Sequence, residues 1–169
     1  VLRGVTPEML LWWFQNLEGD VVVEGRRITR YRAWHPFDHV AVRYARRRPD
    51  GSVGPGARIH IREMFGALPE NSIDVIATIE RLDLGGFRHV DRVLGVALGR
   101  MDYRFTRVDG GTLYENDLVI GVGGRVGRRL EPLVRRLFPD RKGRAWLRHN
   151  VEEVGALENF LPELYASAR

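Results

Sequence analysis

Apolar positions recur with two different periods along this chain, and the change of period divides it into helices near both ends and strands between them. Met9, Leu10, Trp12, Trp13, Phe14 and Leu17 cover more than one side of a helix, which predicts a largely buried first helix. Thr6-Pro7-Glu8 predicts its start, with a hydroxyl N-cap, proline at the first helical position and an early acid facing the positive end of the helix dipole. Gly19-Asp20 predicts its end. From Val21 to Ala33 the pattern is β-branched and alternating around a break at Gly25, which predicts strand. Trp34-His35-Pro36-Phe37-Asp38-His39 reads as a strand end or bend, because Pro36 cannot donate to a ladder, and extended structure resumes over Val40 to Ala45.

After a long turn at residues 48–56, Arg58 to Phe65 alternates again and places Ile59, Ile61, Glu63 and Phe65 on one side. Ile73 to Leu82 predicts a further strand, and Gly85-Gly86 breaks the chain before Phe87 to Leu98, whose pattern does not decide between helix and strand. Met101 to Val108 and Thr112 to Ile120 flank Asp109-Gly110-Gly111, a hairpin signal. The glycine-rich stretch 121–127 is out of register for a dinucleotide-binding loop and reads as a turn into a helix from about Val126 to Phe138. Pro139-Asp140 then opens the longest helix, running to about Leu164. The order is that of a single α+β domain over residues 1–169 with successive antiparallel strands and a long C-terminal helix.

Composition changes this picture in three places. An apolar share of 44% and a charged share of 29% are those of a soluble domain, and neither an apolar run long enough for a membrane span nor a signal peptide is present, so a cytoplasmic protein is expected. The absence of cysteine removes disulfides, thiolate metal sites and cysteine nucleophiles, leaving His, Asp and Glu as the ligands for any metal. The net charge of +5 invites a nucleic-acid partner, but the arginines are dispersed, and no such partner is expected. Of the 27 basic residues only Lys142 is a lysine.

Candidate chemistry gathers at His149-Asn150-Val151-Glu152-Glu153. His149 and Glu153 are one helical turn apart and project from the same face. On a helical wheel Glu153 falls inside the apolar arc of Trp146, Leu157, Phe160, Leu161 and Leu164, where a carboxylate is costly unless paired, protonated or bound to a metal. Glu63 presents the same anomaly on its strand. Two carboxylates aimed at one interior become mutually tolerable around a divalent cation, and His149 with one of His35 or His39 completes a two-histidine, two-carboxylate set suited to zinc ahead of iron, manganese or cobalt; the alternative is that Glu63 and Glu153 pair with arginines.

Trp12-Trp13-Phe14, Trp34-His35-Pro36-Phe37-Asp38-His39, Glu63 and His149-Asn150-Val151-Glu152-Glu153, in that order, resemble the diacetylphloroglucinol hydrolase family, which includes phloretin hydrolase. The resemblance implies a helix-grip fold, as in the birch-pollen allergen and START domains, with one zinc ion per chain held by two histidines and two glutamates. Carried onto this chain the ligands are His35, Glu63, His149 and Glu153, with His35 preferred to His39 for its Trp-His-Pro context and its parity with Tyr31 and Ala33. The implied reaction is hydrolysis of the carbon–carbon bond joining an acyl group to a phenolic ring; the alternative is a non-catalytic carrier of hydrophobic ligands or a polyketide cyclase-like protein.

For the reaction, His89 is the expected acid/base, Tyr31 and Asp38 are expected to contact ligand hydroxyls and assist catalysis, and Trp34, Tyr103 and Tyr114 are expected to contact substrate. Asp38 stands where the resemblance implies a neutral amide, and the chain is shorter than the family's hydrolases. The expected partners are a small aromatic or polyketide-like molecule and, in a homodimer, a second copy; no membrane partner is expected.

Overall fold

In a computed structural model, which describes residues 1–23, 25–121 and 124–168, the first helix, α1 (Pro7–Gln15), follows a short strand, β1 (Leu2–Arg3). Thr6 caps α1 as its hydroxyl accepts from the Met9 N–H. Trp13 and Phe14 are fully buried, and Trp13 meets Trp34 and Phe160 edge to face. The two tryptophans of α1 are core and do not line the cavity described below.

The stretch 21–33 follows the expected strand on either side of Gly25 as far as Thr29 and departs from it only at Arg30. It forms a hairpin, β2 (Asp20–Val23) with β3 (Arg26–Thr29), followed by a one-turn helix, α2 (Arg30–Trp34). Thr29 switches the backbone from strand to helix by accepting the Arg32 N–H, and Tyr31 and Trp34, three residues apart, become the buried face. A period of two counted back from the next strand therefore does not hold across Tyr31 to His35, and it puts the buried Trp34 on the outer side.

The main sheet has seven antiparallel strands in the order β1-β9-β8-β7-β6-β5-β4, where β4 is His39–Arg46, β5 Arg58–Met64, β6 Ser72–Asp83, β7 Gly86–Val93, β8 Val96–Val108 and β9 Gly111–Ile120. The undecided stretch 87–98 is thus a hairpin, turning at Leu94-Gly95. Gly86 begins β7 because a Cβ there would lie 2.0 Å from the Tyr103 carbonyl oxygen. Helices α3 (Gly124–Leu137) and α4 (Asp140–Ser167) complete the chain. The turn expected over 121–127 falls partly outside the described residues.

The sheet curls around α4, which buries His149, Glu153, Leu157 and Leu161 against it. This is the helix-grip arrangement. No described helix is long and apolar enough to cross a membrane.

Candidate metal centre and ligand cavity

The register of the sheet sets the site. His39 opens β4 directly opposite Glu63 of β5, so their side chains emerge on the same concave face. His149 and Glu153 descend onto them from α4. His39 Nε2 lies 3.3 Å from Glu153 Oε2 and 3.8 Å from Glu63 Oε1, and His149 Nε2 lies 3.6 Å from Glu153 Oε2 and 4.0 Å from Glu63 Oε2. Donor atoms at the usual zinc bond lengths in a tetrahedron are about 3.4 Å apart. In this cage His39, His149 and Glu153 thus bring donor atoms within 4.8 Å of one another, a spacing that could hold a divalent ion, and Glu63 flanks them with one oxygen toward each histidine.

Each histidine is fixed in the tautomer that frees Nε2. The Nδ1–H of His39 donates to the Tyr31 carbonyl oxygen at 2.7 Å, and its ring stacks on Tyr31 with centroids 3.8 Å apart. That of His149 donates to Asp38 Oδ2 at 3.0 Å. The opposite nitrogen of His39 is buried and, among the described residues, has no hydrogen-bond partner. A buried lone pair aimed at two carboxylates, beside a second imidazole prepared in the same way, fits a metal ligand set. The carboxylates are anchored as well: Tyr31 Oη donates to Glu63 Oε1, and Asn150 Nδ2 donates to Glu153 Oε1 at 3.2 Å. Asn116 holds Asn150 in turn.

The electrostatics agree with the geometry. Burial, with each carboxylate's neighbouring acid adding to it, pushes Glu63 and Glu153 up to about 7. Burial pushes His39 down to about 4 and lowers His149 too. Without a cation this interior favours neutral acids and neutral imidazoles; a divalent cation would reverse that preference for the carboxylates.

His35 is placed differently from expectation. Following the turn of α2, it sits on the far side of His149, where its Nδ1 accepts the Asp38 N–H and its Nε2 donates to Glu152 at 3.3 Å. It faces a second hollow, shared with Phe37, Arg144 and Arg148, and its ring lies 4.7 Å from that of His149. The histidine beside Glu63 and Glu153 is His39, while His35 forms with Asp38 and His149 a second buried group of possible metal donors.

Asp38 also differs from expectation: it lines this second hollow with His35 and supports His149. Burial favours its protonation, yet N–H groups of Gly66 and Ala67 at 2.9 and 3.0 Å, with His35 and His149 nearby, hold its pKa below the usual carboxylate value. Gly66 and Ala67 both adopt positive φ, which turns their N–H groups together onto the carboxylate. Asp38→Asn should weaken metal binding about 10–100-fold, because an amide must oppose at least one of these N–H donors with its own NH₂. Titration calorimetry with zinc checks this, and an unchanged affinity would remove Asp38 from the site.

Beside the cage lies a cavity of about 420 Å³, lined by Glu63, His149 and Glu153 at one wall and by Ile61, Phe65, Val75, Met101, Leu118 and Trp146 among its apolar groups. His89 and Tyr103 also line it. Burial pushes His89 down to about 4, so at neutral pH it offers one N–H and one lone pair, and burial raises Tyr103 well above its ordinary value. Two expected substrate contacts lie elsewhere. Trp34 sits behind the cage and donates from Nε1 to the Glu153 carbonyl at 2.7 Å, while Tyr114 packs behind Tyr103 with its hydroxyl buried and, among the described residues, unpartnered. Tyr31 acts on Glu63 and His39 and is not among the cavity-lining residues.

Sequence reasoning missed Asn150 and Asn116 as supports for Glu153. Asn150 was visible as the residue after His149, on the rim of the same helix face; Asn116 had no local signal. No protein-family model matches the sequence, and no curated protein matches it significantly. Among solved structures it is similar to the crystal structure of Ara h 8.0201, at 14% identity, over 93% of this chain and 90% of that one, with a TM-score of 0.54. At that identity the similarity concerns the fold.

Proposed function

We propose that the chain is a metal-dependent hydrolase that takes a small aromatic or polyketide-like ketone into its cavity and cleaves the bond between the acyl carbon and a phenolic ring. The observation that carries this reading is the cage of His39, Glu63, His149 and Glu153 opening onto an apolar cavity. It is the ligand chemistry of the diacetylphloroglucinol hydrolase resemblance, with His39 taking the place proposed for His35. Zinc held there would polarise a carbonyl or bring the pKa of a bound water towards neutrality. The apolar wall would exclude bulk water and orient the ring. His89, uncharged and exposed to the cavity, is suited to relay a proton to or from the ring, and Tyr103 to hold a ring hydroxyl.

The test is metal analysis of purified protein together with assay of acyl phenols. The expected result is about one zinc per chain and activity lost in Glu153→Ala and His149→Ala. Protein free of stoichiometric metal that still hydrolyses such compounds overturns the metal role.

The cage also fixes a pH dependence. Glu63 and Glu153, raised to about 7 in the metal-free fold, contribute stability below their unfolded values that is lost as pH rises through 7. Metal binding must expel those protons. Its affinity should therefore fall as pH drops below 7, approaching about a hundredfold per unit where two protons leave per ion. His39, near 4, adds no proton cost above about pH 5. Zinc-induced shifts in melting temperature should accordingly be larger at pH 8 than at pH 6, and equal shifts would argue against carboxylate ligation.

A second reading, a non-catalytic carrier or polyketide cyclase-like protein, is favoured by the cavity itself, which needs no metal to accept an apolar guest. Ligand binding unchanged by chelation and by Glu153→Ala would select it.

A further inference from the structure

Helix α4 carries another buried ionisable group on the face that bears the cage. Lys142 is 8% exposed and lines the same cavity as Trp146, His149 and Glu153, which follow it at four, seven and eleven residues. Those spacings put all four side chains in one row along the helix, with Lys142 at one end of the cavity and the cage at the other. The rise from Lys142 to His149 is about 10 Å.

The ammonium is poorly compensated. Nζ donates to the Ser72 carbonyl oxygen at 2.7 Å and lies 5.8 Å from the Phe138 ring, and among the described residues no carboxylate lies within 4.0 Å of it. Asp74, on the same cavity wall, is engaged by His60 and Arg62. An ammonium has three N–H donors, so the carbonyl leaves most of its capacity unused. A part-buried cation without a counter-ion is costly, and Lys142 lines the cavity. In a chain whose other basic residues are all arginine, this position also has the compact point charge that suits a single acceptor rather than a planar fork.

We propose that Lys142 binds an anionic group at the end of the ligand remote from the cage, so that the cavity selects elongated, largely apolar acids: a ring or chain with a carboxylate or phenolate about 10 Å from the group that meets His149 and Glu153. This rests on the cavity being the ligand site. Desolvation by burial lowers the Lys142 pKa, and a bound anion would restore it, so protein and ligand stabilise each other's charged forms.

The test uses zinc-supplemented full chain and two fluorescent probes of similar shape, 8-anilinonaphthalene-1-sulfonate and the uncharged N-phenyl-1-naphthylamine. The wild type should bind the sulfonate at least about tenfold more tightly. Lys142→Met should abolish that preference while leaving the neutral probe's affinity unchanged, and Lys142→Arg should retain part of it, about one charge-assisted hydrogen bond's worth. Equal loss of both probes, or an unchanged preference, overturns the proposal by reducing Lys142 to a tether on Ser72. Should Lys142→Met fail to fold, displacement of the neutral probe from the wild type decides: 4-phenylbutyrate must outcompete 4-phenylbutyramide about tenfold, and equal competition overturns the assignment. A wild type that binds neither probe refutes the cavity as the ligand site, a failure distinct from the failure of Lys142 alone.

Discussion

His39→Ala is expected to strip the protein of stoichiometric zinc, whereas His35→Ala should leave about one ion per chain. His39 Nε2 is buried, unpartnered among the described residues and 3.3 Å from Glu153 Oε2, so its loss removes one of four converging donors. The affinity loss should exceed the 10–100-fold typical of an outer partner, and activity should fall to background. His35, bonded to Glu152 and the Asp38 N–H, touches the cage only through the neighbouring His149 ring and Asp38. Metal content by mass spectrometry, with calorimetric titration, separates the two. Retention of metal in His39→Ala with loss in His35→Ala would reverse the assignment.

Phe14→Ala should be among the most damaging single changes to stability, at about 3–5 kcal/mol. Phe14 is 1% exposed and packs its ring on Trp34, Phe87, Tyr103 and Phe105, joining α1 to α2 and to three positions on the sheet. Few atoms could relax into the space, because rings held at several angles cannot slide together without losing their other contacts. Against a typical domain stability of about 5–15 kcal/mol, the variant should unfold at a much lower urea midpoint with an unchanged m-value. The Tyr103 wall of the cavity would lose its support, so ligand affinity should fall even where the chain remains folded. A midpoint within experimental error of the wild type would show that the aromatic cluster can repack.

Much of the fold was legible because its signals are local. Thr6-Pro7-Glu8 names a helix start through capping chemistry, Asp109-Gly110-Gly111 names a turn, and Pro139-Asp140 separates two helices. Glu63 and Glu153 were legible for a related reason: each is a carboxylate in a periodic apolar pattern, and periodicity reports which face is buried without reference to anything distant. Both lie on the interior, with burial dominating their electrostatics.

What failed was parity carried across an irregular segment. Alternation grouped His35 with Tyr31, but one turn of helix from Arg30 to Trp34 and the bend at Pro36 reset the phase. Tyr31 still reached the site, through a hydroxyl on Glu63 and a carbonyl on His39, while Asp38 became the support of His149 and Tyr114 was left behind Tyr103.

By itself, then, the sequence determined most of the elements, their order, and the anomaly of two acids on buried faces, since all of these follow from interactions among residues a few positions apart; it did not determine the helix at Arg30–Trp34 or the hairpin over 87–98. Only the tertiary structure decided that His39 stands opposite Glu63, that Asp38 and Asn150 orient the cage, and that Lys142 shares its cavity. Those facts depend on strand register and on how α4 lies in the curl of the sheet, and both are set by packing between segments far apart in the chain, such as Asp38 and His149, 111 residues apart.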